Sequence, residues 1–204
     1  MPGLALGLYV AFAAIAFGLR SWLHRRRTGS TGFVGFSGRS GSPEWWAGRL
    51  FALAVLVGLV APVAGLLWLD PLPPLRQPWL HITGAVIATI GILLTLLAQL
   101  DLGSSWRVGV DPGERTELVT TGAFALVRNP IFSAMIVTAG GIALVAPNVV
   151  ALLGFVALLV AVQLQVRVVE EPYLLATHPR AYRAYGTRVG RFVPGLGRFS
   201  RVTA

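Results

Sequence analysis

The chain has no cysteine and no lysine, and only 12% of its 204 residues are charged. A typical soluble domain carries about 25% charged residues, so so few charges argue against an ordinary soluble protein. The absence of cysteine excludes a disulfide framework, thiolate metal ligation and palmitoylation. The three histidines, His24, His81 and His178, lie far apart without ligand spacing, and no metal site is expected. No basic residue precedes the first apolar run, so the N-terminus does not read as a cleaved signal peptide and the first span is expected to be retained.

What the chain does have is apolar length. Hydrophobic residues make up 55% of it and the mean hydropathy is +0.71. Uncharged stretches over Pro2 to Leu19, Leu50 to Leu69 and Trp79 to Leu100 are each long enough to cross a bilayer. From Asn129 to Val166 the apolar run suits two crossings, and Pro147-Asn148 divides it into Ile131 to Ala146 and Val149 to Val166. Pro172 then suits the first turn of a new helix, with a bend expected just after Glu171. The reading is an all-α fold: a polytopic membrane helical bundle of about five transmembrane helices. Residues 1–100 supply three spans and a Gly/Ser/Arg loop. Residues 101–204 supply a polar loop, a hairpin over 131–169 and a C-terminal helical segment.

The net charge of +9 is carried by 17 arginines. In this topology 16 of the 17 fall on one side, with Arg76 the exception. By the positive-inside rule that places the N-terminus outside and the C-terminus in the cytoplasm. The arginines flank spans instead of forming one basic surface, so nucleic-acid binding is not indicated. Basic charge carried by arginine alone suits a GC-rich bacterial genome, and hence a bacterial inner membrane.

Three charges stand at the end of the last span: Arg167, Glu170 and Glu171. Charge at the edge of hydrocarbon pairs internally, faces a polar cavity or binds something. On a regular helix Gln163, Arg167 and Glu171 share one face, a polar stripe aimed at a pocket. An ion pair at a helix end is the plainer reading. Similarly, Arg128-Asn129-Pro130 reads as a helix start, Asn129 at N-cap and Pro130 at N1, whose N–H groups can also receive an anion. The segment with Tyr182, Arg183, Tyr185, Arg188 and Arg191 reads equally as a site element or as a basic amphipathic helix on anionic lipid.

Leu118-Val119-Thr120-Thr121-Gly122-Ala123-Phe124, followed by Arg128-Asn129-Pro130-Ile131-Phe132, resembles the "LVT-x-G-x-Y … RHP-x-Y" block of the isoprenylcysteine carboxyl methyltransferase and phospholipid methyltransferase families. Arg167-x-x-Glu170-Glu171-x-x-Leu174, then Tyr182-x-x-Tyr185 and Arg191-Phe192-Val193-Pro194, resembles their C-terminal pattern. The chain departs from the pattern with Asn129 for histidine and with Phe124 and Phe132 for tyrosine. The resemblance implies an integral membrane methyltransferase that moves a methyl group from S-adenosylmethionine to a lipophilic small molecule or lipid, entering from the bilayer. It implies a cofactor site of Thr116, Glu117, Leu118, Val119, Phe124, Asn129, Pro130, Ile131, Phe132 and Glu171, with Glu171 on the cofactor's amino group. Arg167 would orient the acceptor, for example through a carboxylate, with Glu170 beside it and Arg107 and Gln163 as neighbours. There is no glycine-rich turn after a strand, so a soluble Rossmann methyltransferase is not supported. Two alternatives stay open: an NADPH-dependent membrane sterol or enone reductase with a similar C-terminal region, and a non-catalytic scaffold of the same fold.

Overall fold

A computed structural model describes residues 1–35, 38–109 and 117–200. Within them the chain is helical, without named strands. The helices are α1 (Pro2–Thr28), α2 (Pro43–Leu67), α3 (Pro78–Asp101), α4 (Pro130–Val145), α5 (Val149–Thr177) and α6 (Pro179–Arg188). Four of them, α1, α2, α3 and α5, are long and apolar enough to cross a membrane. The fifth apolar helix, α4, has 16 residues, or about 24 Å at 1.5 Å per residue, shorter than a hydrocarbon core of about 30 Å. The chain is therefore a multi-pass membrane bundle of four full-length helices and one short one.

Helix boundaries follow local chemistry instead of the first charge. The apolar run of α1 gives out at Arg20, but the helix continues through Arg25, Arg26 and Arg27 and stops at Gly29, which takes the left-handed conformation (φ 82°) open to glycine. Ser42 starts α2, its hydroxyl accepting from the Trp45 N–H at 3.3 Å. Pro62 sits inside α2 without ending it. At the α4–α5 turn, Asn148 is buried and satisfied at both ends of its amide. Its Oδ1 accepts from Ala151 N–H at 2.9 Å, capping α5, and its Nδ2 donates to the Ala61 carbonyl at 3.0 Å. Pro172 stands, as expected, in the first turn of the α-helical stretch Glu171–Thr177, which follows directly on the π turn within α5, and the chain turns at His178 (φ −130°, ψ 58°).

Small residues draw the bundle together. On α3, Gly84, Ala88 and Gly91 face Thr138, Gly141 and Val145 of α4. A Cβ on Gly84 would lie 2.7 Å from the Gly141 carbonyl oxygen, and one on Gly91 would lie 2.6 Å from the Thr138 nitrogen. In lipid, where apolar surface gains nothing by leaving its surroundings, such close backbone approach supplies the packing that holds helices together. A second seam joins Ala54 of α2 to Leu158, Ala161 and Val162 of α5. The start of α1 meets the end of α2, Pro2 against Gly65.

Because α4 and α5 share the turn at Ala146–Asn148, the shortfall of α4 appears at its other, arginine-rich end. There the bundle is completed by non-helical chain. Residues 32–34 pair with Val108 through Val34 N–H to the Val108 carbonyl (2.9 Å) and Val108 N–H to the Gly32 carbonyl (2.8 Å). Arg128 N–H and Asn129 N–H bond the carbonyls of Gly190 and Arg191 at 2.8 and 3.1 Å. The space these segments enclose is the principal cavity.

Candidate functional site

Two helices lose their regular register where they border this space. Residues Ala14–Leu19 of α1 and Gln165–Glu170 of α5 form π-helical turns, a distortion that frees carbonyls and re-aims side chains and recurs at functional sites. In α1 the Ala16 carbonyl accepts from Gln99 Nε2 of α3 at 2.9 Å. Just beyond, the buried Arg20 donates to the carbonyls of Gln99 (3.3 Å) and Gly103 (2.5 Å) at the end of α3, its guanidinium 4.8 Å from the Trp106 ring. Arg20 is thus a structural cation at a helix C-terminus, not only a marker of topology.

In α5 the π turn shifts the expected polar stripe. Gln163 and Arg167 stay together, Arg167 Nε donating to Gln163 Oε1 at 2.9 Å, but both are exposed and neither borders the cavity. Glu171, one wide turn on, is buried on another face. The residues of this helix that do line the cavity are Gln165, Glu170, Tyr173 and Leu174. Gln165 and Glu170 are five apart, the spacing that a π turn aligns.

Glu171 is a strut. Its Oε1 accepts from Arg128 Nη2 at 2.7 Å and from Arg191 Nε at 2.9 Å, and its Oε2 from Arg191 Nη2 at 2.9 Å. Arg128 also donates to the carbonyls of Gly186 (3.2 Å), Val189 (2.6 Å) and Gly197 (3.1 Å) and lies 4.3 Å from the Phe199 ring. One carboxylate therefore ties the loop before α4, the end of α5 and the C-terminal tail into a single unit. The pairing holds the Arg191 guanidinium above its ordinary range.

The cavity measures about 220 Å³. Glu117, Leu118, Val119, Phe124, Asn129, Pro130, Ile131 and Phe132 all line it; Thr116 lies outside the described residues. Phe124 is carried on the turn Gly122–Ala125, anchored by Ala123 N–H to Asp101 Oδ2 at 2.8 Å. Asn129 occupies the N-cap position of α4, yet its side chain does not cap: Nδ2 donates to the Arg191 carbonyl at 3.1 Å. The first turn of α4 consequently borders the cavity without a side-chain cap from Asn129, an electropositive edge.

Residues that the sequence did not mark complete the walls. Ala16 and Phe17 come from α1, Phe51 from α2, Gln99 from α3, and Trp106 from the loop after it. The N-terminal half thus builds the site as well as the fold. Arg107 borders the cavity, Nη2 donating to the Tyr173 hydroxyl at 2.9 Å, and it is the opposing charge to Glu170. Tyr182 and Tyr185 of α6 are buried against the cavity while Arg180, Arg183 and Arg188 are exposed, so α6 is amphipathic and also a site element. Burial pushes the Tyr185 hydroxyl up to about 12 and raises Tyr182 too. Both stay protonated, and Tyr185 donates to the Phe124 carbonyl at 2.5 Å.

The arrangement is an aromatic chamber at one end of a membrane bundle, bordered by a carboxylate and by a helix N-terminus. It suits a cationic or zwitterionic guest with a flat aromatic part. None of the curated proteins matches the chain. The phospholipid methyltransferase family pattern, however, matches residues 79–181, from the start of α3 into α6 and just over half of the 204-residue chain. On that match, and on the membrane bundle that carries it, the chain belongs to the phospholipid methyltransferase family.

Proposed function

We propose that the protein is an S-adenosylmethionine-dependent membrane methyltransferase whose methyl donor sits in the principal cavity and whose acceptor is a lipophilic small molecule or lipid. The observation that carries this reading is that Glu170 and the start of α4, which Asn129 leaves without a side-chain cap, border one aromatic chamber. An amino acid moiety needs both partners, an anion for its ammonium and N–H donors for its carboxylate. The chamber supports the fit further: Phe124, Phe132, Trp106, Tyr173 and Tyr185 offer faces for a purine and a sulfonium.

When bound, S-adenosylmethionine supplies a methyl group on a sulfonium, which needs little further activation. The residues then have three tasks. Glu170, which lines the chamber together with Glu117, takes the role that the family resemblance implies for Glu171, whose oxygens are already held by two arginines. Ile131 and Phe132 hold the carboxylate end. The aromatic walls exclude water, so that transfer proceeds by positioning in a dry site and not by strong acid or base. Arg167 is exposed and does not line this chamber, and Arg107, which does, is the better candidate to orient an acceptor carboxylate. The arginine asymmetry supports a cytoplasmic opening, and arginine as the sole basic residue supports a bacterial inner membrane.

The test is transfer of labelled methyl from S-adenosylmethionine into bacterial lipid extract by the purified protein. Label recovered in an organic-soluble product, and lost in Glu170→Gln, supports the reading. No transfer by a folded protein that instead oxidises NADPH in the presence of enones would replace it with the reductase.

A further inference from the structure

The loop between α1 and α2 carries a glycine at every third position, Gly29, Gly32, Gly35, Gly38 and Gly41, and each holds a positive φ, between 71° and 98°. Its first part, Gly29 to Gly35, is a strap that reaches the principal chamber, which Gly35 lines. The strap turns side chains outward and glycine inward. Phe33 and Val34 are exposed, at 62% and 42%, whereas Gly32 is buried against Trp106, where a Cβ would lie 2.8 Å from the ring. Across from the strap the chamber wall is Ser105 to Gly109. Gly109 (φ 96°) admits the Gly35 carbonyl so closely that a Cβ there would overlap the oxygen. Only glycine allows both approaches.

This seam is fastened differently from the other walls at the arginine-rich end. Backbone bonds hold it, Val34 N–H to the Val108 carbonyl at 2.9 Å and Val108 N–H to the Gly32 carbonyl at 2.8 Å. Phe33, Val34 and Gly35 have no polar side chain to add to them. The tail wall, by contrast, is tied through Glu171 to Arg128 and Arg191, through Asn129 Nδ2 to the Arg191 carbonyl, and through Ser133 Oγ to the Phe192 carbonyl at 2.7 Å. The turn that carries Phe124 is tied by the Tyr185 hydroxyl and by the Asp101 carboxylate. Segments with few bonds and little buried apolar surface open locally while the rest of a fold stays closed. Among the described walls, the seam has that character.

We propose that the strap is the gate of the chamber: Gly29 to Gly35 swings on its glycines away from Arg107 to Gly109, and the methyl donor and its demethylated product exchange with the aqueous phase through the seam. This inference rests on the methyltransferase reading for the identity of what passes, but not for the opening itself. A charged, water-soluble donor has no route through the helical walls, whose outer faces are apolar, with Leu93, Leu97 and Leu153 exposed on them. It exchanges at the arginine-rich end, where the chain is not helical, and there the seam is the wall that parts most easily. Opening breaks the two backbone bonds and closing re-forms them, a loop motion of the kind that gates other sites on the microsecond-to-millisecond scale.

The chain has no cysteine, so a pair introduced by Phe33→Cys and Val108→Cys, positions that face each other across the bridge, can lock the seam on oxidation and free it on reduction. The full-length double variant in detergent is loaded with tritiated S-adenosylhomocysteine while reduced, then oxidised, and release of the label is followed with and without reductant. Release should be lost on oxidation and recovered on reduction. Hydrogen exchange on the unaltered protein reads the opening without a ligand. The Val34 and Val108 amides should exchange at least about tenfold faster than those of Arg128 and Asn129, which are bonded to the tail. Release at one rate from oxidised and reduced protein, or seam amides protected as long as those of Arg128 and Asn129, would overturn the proposal. If the double variant does not fold, the exchange comparison alone decides. A seam that opens in a protein that binds no S-adenosylhomocysteine would keep the gate and remove the methyl-donor reading instead.

Discussion

Replacing Glu171 with glutamine removes one negative charge from beneath two guanidinium groups. The Arg128 side chain is fully buried and that of Glu171 is 8% exposed, whereas Arg191 is 16% exposed and partly screened. Breaking a buried pair by neutralising one partner leaves an uncompensated charge and costs about 3–5 kcal/mol. The four carbonyl-directed and carboxylate-directed bonds of Arg128 anchor the C-terminal tail, so the loss spreads to the wall of the chamber. At about 2–4 °C per kcal/mol for a chain of this length, the melting temperature in detergent should fall by about 10 °C. Arg167→Ala removes only an exposed bond to Gln163, worth at most about 0.5 kcal/mol, and should leave the melting temperature within a degree or so. Scanning fluorimetry on both variants provides the comparison. If Glu171→Gln melts like the wild type but no longer binds the methyl donor, the carboxylate is a ligand group and the assignment of Glu171 as a strut is wrong.

Three further outcomes follow from the packing and the titrations. Gly91→Leu sets a side chain against the Thr138 backbone and should destabilise by about 1–3 kcal/mol, read as a lowered midpoint in thermal unfolding. Asn148→Ala removes the α5 cap and the partner of the Ala61 carbonyl; about 2 kcal/mol should be lost, whereas a neutral result would mean the turn is held by packing alone. Tyr182 and Tyr185 have hydroxyls raised above their unfolded value near 10, Tyr185 to about 12. Their contribution is fully present below pH 10 and is lost as pH rises from 10 towards 12, so Tyr185→Phe should flatten the alkaline limb of a stability profile.

The parts of the site that were legible in the sequence are those built from contiguous blocks. Glu117 to Val119, Phe124 and Asn129 to Phe132 reach the cavity together because they lead into one helix start, and a proline at N1 marks such a start in any sequence. The spans were legible for the same reason, since uninterrupted apolar runs leave one choice in lipid. Arg167 and Glu171 do not line the cavity, and the face assigned to them rested on 3.6-residue periodicity, whereas the π turn at Gln165–Glu170 adds a residue to the turn. Nothing in the composition of Gln165 to Glu170 announces that turn. Ala16, Phe17 and Phe51 gave no signal either, as apolar residues in apolar helices look alike whether they face lipid or a chamber. Gln99, a polar residue near the end of a span, did carry a signal, and it is held by the Ala16 carbonyl. The brevity of α4 was also readable, as 16 residues between two prolines, and it is what makes room for the chamber.

The central claim is that the chamber beside Glu170 holds S-adenosylmethionine, and calorimetric titration of the detergent-purified protein with S-adenosylhomocysteine, with NADPH in parallel, tests it most directly. The account predicts saturable binding of the homocysteine product and none of NADPH. It further predicts affinity lower by about 10- to 100-fold in Glu170→Gln, the worth of one charge-assisted hydrogen bond, with unfolding unchanged. Binding of NADPH alone, or of S-adenosylhomocysteine with equal affinity in Glu170→Gln, would contradict it.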